Sequence, residues 1–158
     1  MSEPGVVFNL GGGVGTQGAA GILSLGIPVG RGELVLRSGG TFSMELFGPS
    51  EGTTDLGLLY GVRKRGTRGW ARVAGGVGIV GQDSTVPRQG RCDSWFGCYD
   101  VETRTRAGLL GQADAVWAFH QKFGLGVTLY GGVGLGGGGY GSLSVGLYIG
   151  RAGLVTSR

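Results

Sequence analysis

The chain has 158 residues, 39 of them glycine, and a formal net charge of +4. That is the length of one domain, but only 15% of its residues are charged, against about 25% in ordinary soluble domains. No apolar run suits a membrane helix, and no aromatic–basic interleaving accompanies the mild positive charge, so helical membrane proteins and nucleic-acid binders are both disfavoured.

Met1-Ser2-Glu3-Pro4 lacks the basic start and apolar run of a signal peptide, so the numbering is expected to begin at the mature chain. From there apolar residues recur at every second position, the period of strands rather than helices. Over residues 6–15, Phe8, Leu10 and Val14 alternate with Asn9, Gly11 and Gly13. Over 19–28, Leu23, Leu25 and Ile27 stand against Ile22, Ser24 and Gly26, and Pro28 to Gly32 has the composition of a tight turn. The third segment, 33–47, sets Leu34, Leu36, Phe42, Met44 and Leu46 against Glu33, Val35, Arg37, Thr41, Ser43 and Glu45. Gly48 to Thr54 is expected to be a loop. The fourth, 55–63, sets Leu56, Leu58, Tyr60 and Val62 against Asp55, Gly57, Leu59, Gly61 and Arg63, and a basic turn runs from Lys64 to Gly69.

Over 70–80, Ala71, Val73, Val77 and Ile79 oppose Arg72, Ala74, Gly76 and Gly78. Residues 81–105 read as one long polar loop. In the sixth segment, 106–119, Ala107, Leu109, Ala113, Ala115, Trp117 and Phe119 oppose Arg106, Gly108, Gln112 and Asp114. His120-Gln121-Lys122 is a short turn. The 28 residues from Phe123 to Gly150 carry no charge and hold 12 glycines. Each glycine costs about 1 kcal/mol against alanine inside a helix, so the stretch is two strands, 123–133 and 141–151, joined by Gly134 to Gly139.

Eight strands of about ten residues have the length that crosses a bilayer at a tilt. Tight turns at one end and a long loop at the other, with both chain ends on the tight-turn side, fit an all-β, eight-stranded antiparallel up-and-down transmembrane β-barrel occupying 1–158 as one domain. In a soluble barrel that binds a small apolar ligand, the second row would face water and be rich in Lys, Glu and Thr. Here it is mostly Gly, Ala and Ser with a few ions. Such a row suits the narrow interior of an eight-stranded ring. The interior is therefore expected to hold Arg37, Glu45, Asp55, Arg72, Arg106, Asp114 and Tyr130, with Arg72 near Asp114. Phe8, Tyr60, Trp70, Trp117, Phe119 and Phe123 cluster near the tight turns and are expected to form a boundary girdle.

This pattern, the strand count and the ending Gly-Leu-Tyr-Ile-Gly-Arg resemble the small eight-stranded outer-membrane barrels of bacteria, such as the membrane domain of outer membrane protein A. The resemblance covers residues 6 to 151. It implies a bacterial outer-membrane location and a structural, anchoring or adhesive role. Such barrels usually close on an aromatic residue, whereas this chain continues through Ala152 to Arg158.

Cys92 and Cys98 lie in the 81–105 loop without a histidine nearby, a poor metal set; in an envelope protein a disulfide between them would add about 2–3 kcal/mol. Trp95 and Phe96 between them are a possible contact for an extracellular or envelope protein partner, or for membrane lipid; packing back on the loop is the plainer alternative. Gly13-Val14-Gly15-Thr16-Gln17-Gly18 matches a dinucleotide fingerprint, but chance matches abound in so glycine-rich a chain and no helix follows. A lipid-modifying enzyme would need His120 beside Ser142 or Ser144, which the strand pattern separates. No enzymatic activity, cofactor or metal is expected.

Overall fold

The computed structural model describes residues 5–43, 51–87 and 99–150. Eight strands follow one another: β1 (Val7–Gly15), β2 (Gly18–Val29), β3 (Gly32–Phe42), β4 (Gly52–Arg65), β5 (Gly69–Pro87), β6 (Tyr99–His120), β7 (Phe123–Gly134) and β8 (Gly139–Gly150). Each pairs antiparallel with the next, and β8 pairs with β1 from Val7↔Gly150 to Gly15↔Ser142, closing the sheet into a barrel. Closure leaves no free edge within the ring.

The alternation in the sequence becomes an inside and an outside. Leu58, Val77, Leu109, Leu125 and Val145 all point outward and are 48–62% exposed. Val35, Arg37, Thr53 and Thr128 point inward and are fully buried. The apolar row is therefore the outer surface, and the mixed row fills the lumen, the reverse of a soluble ligand-binding barrel. Three small apolar clusters occupy the interior, at the tight-turn end (Val7, Trp70, Val116, Ala118, Tyr148), in the middle (Val35, Leu59, Ala74, Val80, Leu110) and near the loop end (Ala20, Ile22, Tyr130, Tyr140). Polar side chains separate them.

Three expectations need correction. The stretch 81–105 is not one loop: β5 and β6 continue their ladder from Gly81↔Thr105 to Pro87↔Tyr99. Backbone pairing continues there through the β-branched Thr103 and Thr105, whose side chains are exposed. β4 likewise begins at Gly52, inside the expected 48–54 loop. Trp70 does not join a girdle. It shares parity with Arg72, turns inward and is 4% exposed, its ring edge-on to Tyr148 at 5.3 Å. Tyr60, Trp117, Phe119 and Phe123 do face outward. Met44, Glu45 and Leu46 of the expected third strand lie outside the described residues, as do Cys92, Trp95, Phe96 and Cys98.

An outward apolar row of this kind is a surface that a bilayer would cover, which makes a direct prediction. Leu58→Arg, midway along β4, should lower stability in phospholipid vesicles by about 2–4 kcal/mol. Urea unfolding followed by tryptophan fluorescence measures it; an unchanged midpoint would mean that this face meets water.

Candidate functional site

The interior ions lie on adjacent strands at levels set by the register. Arg63 on β4 is directly opposite Arg72 on β5, and Arg72 is opposite Asp114 on β6. Two arginines side by side need an acid between them, and Glu33 at the start of β3 supplies it. Arg63 donates to both Glu33 oxygens, through Nε to Oε2 at 2.7 Å and through Nη2 to Oε1. Arg72 Nη1 donates to the same Oε1 at 2.9 Å. On its other side Arg72 Nε donates to Asp114 Oδ2 at 2.7 Å. The result is a chain of alternating charge, Arg63–Glu33–Arg72–Asp114, with no side chain in it more than 5% exposed.

Neutral donors complete Asp114. Its carboxylate accepts Tyr148 Oη at 2.7 Å, Thr128 Oγ1 at 2.9 Å and Gln112 Nε2 at 3.0 Å. Thr128 and Tyr148 also share a hydrogen bond. Trp70 lies beneath the two guanidinium groups, 4.8 Å from Arg63 and 5.5 Å from Arg72, adding cation–π attraction in a desolvated place. Glycine makes the space: a Cβ at Gly26 would collide with the Glu33 carboxylate and approach Arg72 Nη1 within 2.7 Å.

A second pair sits nearer the loop end. Arg37 grips Asp55 with two parallel bonds, Nε to Oδ1 at 3.0 Å and Nη2 to Oδ2 at 2.9 Å. Its remaining donors reach across the lumen to Gly111 O at 2.6 Å, Gly131 O at 3.1 Å and Tyr140 Oη at 3.3 Å. Tyr130 packs against the guanidinium at 5.5 Å and donates to Gly21 O at 2.7 Å. One arginine thus ties β3 and β4 to β6, β7 and β8, filling the cross-section at that level.

Of the interior ions expected from sequence, Arg37, Asp55, Arg72 and Asp114 lie in these two networks. Arg106 does not. β6 pairs with β7 only as far as Gly108↔Gly134, so Arg106 stands above the ring and donates to Gly136 O at 2.8 Å at the mouth. Glu45 falls outside the described residues. Glu33 and Arg63 were missed as interior ions. Both share inward parity with Arg37 and Asp55, but each lies near a strand end, where a charge ordinarily meets water. His120 is exposed on its turn, its Nδ1 accepting Lys122 N at 3.2 Å, while Ser142 and Ser144 are buried inside the barrel. The structure does not bring them together.

An up-and-down ring of eight strands, apolar outside and ion-paired inside, is the architecture of a small membrane barrel. Among solved structures the chain is similar to the N-terminal β-barrel domain of Pseudomonas aeruginosa OprF, with 18% identity and a TM-score of 0.59 over 95% of this chain and 99% of that one. It is also similar to Neisserial surface protein A (NspA), with 11% identity and a TM-score of 0.58 over 92% and 94%. The resemblance to small eight-stranded outer-membrane barrels is thus present at the level of fold. No protein-family model and no curated protein sequence matches the chain.

The Arg37–Asp55 pair yields a prediction. Arg37→Met strands a buried carboxylate and should cost about 3–5 kcal/mol, whereas adding Asp55→Leu should recover most of the loss. Urea titration of the four species in detergent micelles measures the cycle; a double variant as unstable as the single one would mean that Arg37 acts through its carbonyl contacts instead.

Proposed function

We propose that this chain is a bacterial outer-membrane protein whose barrel serves as a structural, anchoring or adhesive element and does not conduct solutes. The observation that carries the reading is the pairing of an apolar outer surface with an interior crossed by Arg37, Asp55, Tyr130 and Tyr140. An eight-stranded ring is only wide enough for its own side chains, and here large ones meet across it. The likeness of fold to the β-barrel domain of OprF and to a Neisserial surface protein supports the same reading.

Contacts with an extracellular or envelope protein would be made at the β5–β6 end. These strands have 19 and 22 residues against 9–14 in the other six, and so extend beyond their neighbours. The segment between them, residues 88–98, carries Trp95 and Phe96, with Cys92 and Cys98 positioned in sequence to brace it. A disulfide there and a contact role for the two aromatics remain part of the proposal.

The protein should fractionate with the outer membrane, migrate differently on gels before and after boiling, and be cut between Pro87 and Tyr99 by protease added outside intact cells. Recovery in a soluble fraction without detergent would sink the reading. In planar bilayers the native chain should give no steady conductance, and Arg37→Ala combined with Tyr130→Ala should open an ion-permeable path. A steady native current would refute the sealed interior.

A further inference from the structure

The alternating ion chain reaches the tight-turn end of the barrel at a cavity of about 220 Å³. Arg31, Arg63, Arg65 and Glu33 line it, together with the turn between β2 and β3. Three guanidinium groups therefore face one carboxylate, and that carboxylate is committed. Glu33 accepts from Arg63 and Arg72, and Arg72 also binds Asp114, so these four side chains sum to zero. Arg31 and Arg65 bring positive charge that no carboxylate among the described residues pairs with.

The second observation is inside the cavity wall. The Arg63 side chain is 5% exposed, and its Nη1 is buried with no hydrogen-bond partner among the described residues. Buried donors are nearly always satisfied, so an orphan one on a side chain that lines a basic recess points to an acceptor that comes from outside. The surroundings have the same sign. Lys64, Arg68 and Lys122 are exposed on the neighbouring turns, whereas the described carboxylates that are not buried, Glu51, Asp83 and Glu102, lie at the opposite end.

A recess with several guanidinium donors matches an oxyanion that has several acceptor atoms, and phosphate is the best fit to paired arginine donors. We propose that the tight-turn mouth is a phosphate-binding site formed by Arg31, Arg63 and Arg65. The phosphate can come from an anionic lipid headgroup of the adjoining leaflet or from free phosphate; only the lipid source rests on the membrane reading above. Glu33 acts as the positioning residue, holding Arg63 while Arg72 takes up the rest of its charge.

The test uses the full chain folded in a neutral maltoside detergent. Trp70 lies 4.8 Å from the Arg63 guanidinium, so its emission reports on the site once Trp95→Phe and Trp117→Phe have removed the other two tryptophans. Inorganic phosphate and micelle-dispersed phosphatidylglycerol are titrated separately at constant ionic strength, with chloride and phosphatidylcholine as controls. A saturable change is expected that the controls do not produce. Arg31→Gln and Arg65→Gln should each weaken it about fivefold, the effect of losing one basic contact to an anionic headgroup. Lys122→Gln, on another turn, should leave it unchanged.

Saturation by phosphatidylglycerol, with or without competition from free phosphate, assigns the lipid source, and saturation by free phosphate alone assigns the soluble one. No saturable change with either probe, or equal weakening by Lys122→Gln, overturns the site and leaves only diffuse attraction. Arg31 and Arg65 lie outside the buried ion chain, so heat-modifiable gel migration should persist in both variants. Loss of that migration in the native chain would count against the membrane barrel instead, which separates the two failures.

Discussion

Everything inside this molecule answers to the narrowness of a closed eight-stranded ring. Each inward position either gives up its side chain or shares the lumen with side chains from the opposite wall. Gly57 and Gly78 show the first solution: a Cβ at either would run into Leu110 Cδ1, which occupies the space they leave. Arg37 shows the second, since its guanidinium is long enough to reach strands on the far side of the barrel. Large and absent side chains are therefore complementary, and the abundance of glycine is a packing requirement rather than a sign of flexibility.

Ions in such a lumen have little water to turn to. Taking a charge out of water costs several kcal/mol per ion even after relaxation, and pairing offsets this only when geometry is good and the remaining donors are satisfied. The Arg63–Glu33–Arg72–Asp114 chain meets that condition at its inner end, where signs alternate and Thr128, Tyr148 and Gln112 complete the acid. At its outer end, next to the turns, one donor of Arg63 has no partner among the described residues. Neutrality within and surplus charge at the rim arise from the same row of residues. The barrel wall and the basic mouth are physically continuous.

Much of this was legible in the residues because a period of two assigns a face to every position, and one face had to meet something apolar. The opposition of Arg72 and Asp114 was accessible because each lies at a similar distance from the link joining their strands. Other features were hidden by reading composition where parity mattered. Trp70 looked like a boundary aromatic from its place at a strand end, but its even number puts it with Arg72. Arg106 has inward parity yet lies beyond the last β6–β7 pair, so parity alone overstated its burial. The β5–β6 extension was concealed because Gly81 to Thr85 offer no apolar row, and the side chains of Ser84 and of Glu102 to Thr105 are exposed.

The sequence by itself determined the strand period, the count of crossing segments and which row of side chains shares a face, since these depend only on local backbone geometry and on one-dimensional spacing. The tertiary structure decided which ions meet: Glu33 with two arginines from β4 and β5, and Arg37 with carbonyls of β6 and β7. Those contacts depend on register around a closed ring, where strand offsets accumulate from one neighbour to the next. No local pattern encodes that sum, so the partners across the lumen are fixed by the closure of β8 on β1.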